Sequence, residues 1–124
     1  MSRPECSRDE DILRAVCEAH WDGKRFDTDL FANKGVSVSR LAIASFQEIC
    51  TIFRKTIKAP VVTTAEINVG HLQDIGNSNV PPKILTVEED PFDDNPAHAE
   101  IPQRISPGLA KRIINVLKLR DMVD

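Results

Sequence analysis

The stretch Lys83–Ile101, KILTVEEDPFDDNPAHAEI, decides how the rest of the chain is read. It begins as a strand, because Ile84, Leu85, Thr86 and Val87 form an apolar, partly β-branched run. It turns acidic at Glu88, Glu89 and Asp90, and Pro91 and Pro96 then bracket Phe92-Asp93-Asp94-Asn95. Proline fixes φ and lacks an amide proton, so neither bracket belongs inside a helix or a central strand. The bracketed residues read as a turn, where Asp94 and Asn95 side chains can bond their own backbone. Ala97-His98-Ala99-Glu100-Ile101 alternates small or apolar with polar, as a half-buried strand does. The expectation is a β-hairpin with strands at Lys83–Glu89 and Ala97–Ile101 and an acidic loop between them.

The alternation has a chemical consequence. His98 and Glu100 are two apart, so a strand projects both from one face, about 7 Å apart at their Cα atoms. Ala97, Ala99 and Ile101 then face the core. A histidine and a carboxylate on an open face suit an acid–base pair, with His98 and Glu100 as candidate catalytic residues. The neighbouring carboxylates raise a second possibility, a metal held by His98, Asp90, Asp93 and Asp94. The plainer alternative is a solvated polar face beside a loop made acidic for solubility.

Asp90–Ile101, DPFDDNPAHAEI, resembles a box of the form D-P-x3-N-x-A-H-A-x-hydrophobic found in small bacterial proteins. Upstream, Gly35–Arg40 following Asp22–Phe26 resembles the blocks that precede that box, in the same order. The Gly76–Pro82 loop has no counterpart. The resemblance implies a bacterial setting, a mobile-element or defence system, and no catalytic role for any residue.

At 124 residues the chain is one domain with room for a real core, here residues 9–124 behind a flexible leader at 1–8. Hydrophobic residues at 41% and charged residues at 28% mark it as globular. Aromatics at 5%, with no tyrosine, argue against a base-stacking platform, and a net charge of -3 argues against a general phosphate-binding surface. Cys6, Cys17 and Cys50 are odd in number and show no zinc spacing, which fits reduced thiols in a cytoplasm. No apolar run approaches the ~18 residues of a membrane span, and the charged N-terminus carries no signal-peptide pattern.

Outward from the central stretch, Val61–Val69 alternates cleanly and is a strand. Gly70-His71 and Leu72–Ile75 read as its continuation past a bulge, which would bring His71 near His98 if the two strands pair. Gly76–Pro82 is a loop by composition. Ser45-Phe46-Gln47-Glu48 is a capping box that opens a helix over Phe46–Ile57, stopped by Pro60. Ser106 with Pro107 opens a last helix over Pro107–Leu119. Val36–Leu41 is a short strand, and its Arg40 either clamps an anion or lies on the surface. Asp9–Trp21 reads as an amphipathic helix, with a strand over Ile12–Cys17 as its rival. Cys17 and His20 would then be helix-face neighbours.

These elements predict an α+β fold, a small, mainly antiparallel sheet of about three to five strands packed against two or three helices over one face. The chain has no Walker loop, no G-x-G-x-x-G, no H-E-x-x-H and no G-x-S-x-G. Three functions follow as expectations. The first is a protein-interaction or assembly module without catalysis, with a protein partner or self-association, no cofactor, no general nucleic-acid binding and no membrane. The second is a small metal-dependent or acid–base enzyme using the His98/Glu100 face. The third, on a loose pattern that resembles the ADP-ribosyltransferases, is an NAD-handling domain in which Arg14, the Ser37–Ser39 strand and a glutamate take the usual parts.

Overall fold

The structure is a computed structural model and describes residues 3–123. Its elements are β1 (Asp11–Cys17), β2 (Val36–Arg40), α1 (Phe46–Thr56), β3 (Val61–Asn68), α2 (Val69–Ser78), β4 (Glu88–Glu89), β5 (His98–Ile101), α3 (Pro107–Ile114) and β6 (Lys118–Arg120). The α+β class holds. The strands form one six-stranded sheet in the order β4-β5-β2-β1-β3-β6, every neighbouring pair antiparallel.

Six strands exceed the three to five expected, and the two additions come from segments read as helix. Asp9–Trp21 is not a helix; its centre is β1, the middle of the sheet. Ile12 and Val16 pack into the larger core while Leu13 and Ala15 pack into the smaller one. A strand buried on both faces shows no polar alternation, so its apolar spacings mimic a helix. Likewise Pro107–Leu119 is helical only to Ile114, and Lys118–Arg120 pairs with β3.

The helices also cover both faces rather than one. α2 and α3 contribute Leu72, Ile75, Leu109 and Ile113 to the larger core, with Ile12, Val16, Ala65 and Ile67 from the sheet. α1 lies on the opposite face, where Ile49 and Phe53 meet Leu13 and Ala97. The Ser45 capping box forms as expected: its side chain accepts from the Glu48 amide, and the Glu48 carboxylate accepts from the Ser45 amide. Ser106 caps α3 with Pro107 in the first turn.

Two further segments depart from expectation. Val69–Ser78 is a helix, not a bulged strand and loop. Asn68 ends β3 and accepts from the His71 amide, so the chain switches from strand to helix without a spacer. Gly76 then sits under the next segment: a Cβ there would collide with the Lys83 carbonyl. Of Lys83–Glu89 only Glu88–Glu89 joins the ladder, opposite Glu100 and Ala99. Residues 84–87 keep the alternation, Leu85 and Val87 buried and Ile84 exposed. Their backbone is satisfied otherwise, because the Thr86 amide donates to Gln103 and the Val87 carbonyl accepts from the Cys6 amide. Residues 3–6 thus run along the β4 edge, with Glu5 bridging Glu88 and the Glu89 amide donating to the Pro4 carbonyl. No helix among the described residues is long and apolar enough to cross a membrane.

Candidate functional site

The site arises where β1 and β2 part. The two strands pair only at Ile12–Arg40 and Leu13–Ser39. Beyond Leu13 they separate, and Arg14 occupies the fork. Its Nε donates to the Leu30 carbonyl at 3.2 Å and its Nη1 to the Ser37 carbonyl at 3.1 Å. Among the described residues no carboxylate pairs with it. Burial pulls its pKa below the ordinary arginine value, and at any working pH it stays a cation. A half-buried guanidinium held by two neutral carbonyls keeps N–H groups and its charge for an anion.

The cleft beside Arg14 has a volume of about 290 Å³. Its floor is β2, with Ser37 exposed and Ser39 fully buried. One wall is α1, through Phe53, Thr56 and Ile57; the other is the turn through Phe92, Asp94 and Asn95, with His98 behind it. The Pro-bracketed turn closes on itself, since the Phe92 and Asn95 amides donate to each other's carbonyls at 3.0 and 3.1 Å. Asn95 is buried; its Nδ2 donates to Ser39 Oγ at 3.2 Å, and its Oδ1 has no partner among the described residues.

His98 is held on three sides. Its Nδ1 lies 2.8 Å from the Asp90 carbonyl and 3.3 Å from Asp90 Oδ2. Its ring stacks on Phe92, with centroids 4.1 Å apart and planes 19° apart. Its main chain donates to the Asn95 carbonyl and accepts from the Asp90 amide. Across the sheet His98 faces Ser39 and Glu100 faces Ser37. His98 and Glu100 therefore share the α1 side of the sheet. Ala99 and Ile101 enter the larger core, whereas Ala97, just before the strand, enters the smaller one.

The other candidates separate. Glu100 stands outside the cleft lining, 3.4 Å from Arg3, which also reaches Asp90 at 3.0 Å and Glu88 at 3.5 Å. Asp94 lines the cleft; Asp93 is exposed and does not. Among the described residues no group of three or more His, Cys, Asp or Glu side chains is placed to hold a metal ion. His71 does not approach His98, because β1 and β2 lie between β3 and β5. Arg40 is not free for an anion: it grips Glu10 through two 2.8 Å bonds and reaches Glu89 at 3.2 Å. Cys17 ends β1 and His20 lies in the turn after it, so they are not helix neighbours. Sequence reasoning missed Asn95 and Phe92 as site residues. The signal was the proline bracket, which fixes the turn that carries both. No protein-family model, no curated protein and no solved structure matches the chain.

Proposed function

We propose that the chain is an NAD-handling domain of the ADP-ribosyltransferase kind. One observation carries this reading: adjacent strands bring Arg14 of β1, Ser37 and Ser39 of β2, and His98 of β5 to one cleft, with Glu100 two residues on, outside the lining and on the same side of the sheet as His98. Each group suits a part of that substrate. Arg14 offers a guanidinium without a carboxylate partner to a diphosphate. The serine hydroxyls can bond a ribose or a carboxamide. Glu100 supplies the negative charge that favours a ribosyl cation as the glycosidic bond breaks, the role carboxylates take in glycoside cleavage. The cleft has room for a nucleoside-sized group, with the remainder of a dinucleotide in its open mouth.

Calorimetric titration with NAD tests the reading. Saturable binding to the wild type that weakens at least tenfold in Arg14→Ala supports it. Absence of binding to the wild type, or equal binding by the variant, overturns it.

A further inference from the structure

We infer that His98 is the group that takes the proton from the attacking nucleophile in this site, and that the nucleophile is a neutral hydroxyl or water. The inference rests on the NAD reading and deepens it. Its basis is the geometry of the imidazole. A carbonyl oxygen can only accept, so the 2.8 Å contact with the Asp90 carbonyl places the ring proton on Nδ1. In the neutral ring Nε2 then carries a lone pair. Among the described residues nothing hydrogen-bonds Nε2, and His98, largely buried, lines the cleft. Asn95 Oδ1, also in the cleft lining, is a buried acceptor without a donor among the described residues. An open lone pair on His98 and a buried unpaired acceptor on Asn95, both lining one cleft, select a group that brings hydrogens, which water or an alcohol does. Stacking on Phe92 and the two main-chain bonds to Asp90 and Asn95 fix the ring before any ligand arrives.

The step balances as follows. The bond between ribose C1′ and the pyridinium nitrogen of NAD breaks, and its electron pair leaves with neutral nicotinamide. The acceptor oxygen bonds to C1′ and passes its proton to His98 Nε2. The imidazolium so formed lies 3.3 Å from Asp90 Oδ2, which stabilises it until the proton returns to solvent.

The test is hydrolysis of NAD with water as acceptor, followed by nicotinamide release, in wild type and His98→Asn. Asparagine can keep the donor to the Asp90 carbonyl and lacks the base. The expected result is a fall in kcat of at least about 100-fold with KM for NAD within about threefold. A raised KM at unchanged kcat would make His98 a binding group and overturn the inference while leaving the NAD reading intact. A wild type that neither binds nor cleaves NAD overturns both. Should His98→Asn fail to fold, His98→Gln and the ring 15N spectrum of the wild type take its place. A bare Nε2 with a protonated Nδ1 is required, and the opposite tautomer refutes the assignment.

Discussion

Arg14 donates to the carbonyl of Ser37 across the gap where β1 and β2 cease to pair. One side chain thus replaces a missing rung of the sheet at the edge of the cleft. Arg14→Ala removes the donor from two carbonyls, those of Leu30 and Ser37. A loss of about 1–3 kcal/mol in stability is expected from such unsatisfied groups. Arg14→Lys should not restore NAD affinity, because an ammonium cannot bridge both carbonyls and still present a planar donor pair. Denaturant melts and calorimetry on the two variants measure the two effects separately.

The Glu10–Arg40 pair should make the fold acid-sensitive. Arg40 hydrogen bonds hold the Glu10 carboxyl below the ordinary carboxylate range, and both side chains are largely buried. A carboxyl with a lowered folded-state pKa stabilises the fold fully above its unfolded value, about 4.3 for glutamate. That stabilisation is lost as pH falls through the lowered value. Thermal melts between pH 7 and pH 3 should show a steeper decline for the wild type than for Glu10→Gln. At pH 7, Arg40→Ala should cost about 3–5 kcal/mol, since it leaves Glu10 charged and unpaired.

Ser45→Ala breaks the capping box of α1 and should cost about 1 kcal/mol, a fall in Tm of roughly 3–6 °C for a chain of this size. Because α1 forms one wall of the cleft, the same variant should loosen any ligand held there. Ser45→Asp, which can still accept from the Glu48 amide, should restore both stability and affinity.

Gly76→Ala should destabilise by more than Ser45→Ala, although alanine favours helices. The added methyl would meet the Lys83 carbonyl and press on Leu85, so α2 and residues 83–87 could not stay in contact. Circular dichroism melts of the two variants, run side by side, rank the effects.

Where one face met water, the pattern was readable in the residues themselves. Ser45 with Glu48 and Ser106 with Pro107 describe local physics that the fold retains; Val61–Asn68 is the strand expected, but a register shift at its start sends Val61 to the smaller core while Ala65 and Ile67 enter the larger one. Burial on both faces hid β1: Leu13 and Ile12 are both apolar because helices cover both sides of the sheet. Asn68 concealed the start of α2, because an N-cap directly after a strand leaves no loop to mark the change. The pairing of His98 with Glu100 on one face was legible from spacing. The position of Arg14 beside them was not, since it depends on where two strands diverge.

The central place of β1 bears on how the chain reaches this fold. Ile12 must find Arg40 on one side and Ile67 on the other. During synthesis β1 is therefore made first and sheltered late, after residues up to Asn68 have appeared. Contacts so distant in sequence close long loops before they repay them, which slows folding toward the millisecond-to-second range of sheet-rich domains. The apolar Ile12–Leu13 and Ala15–Val16 pairs stay exposed in that interval, and a nascent chain arrested before β3 is the species expected to need a chaperone.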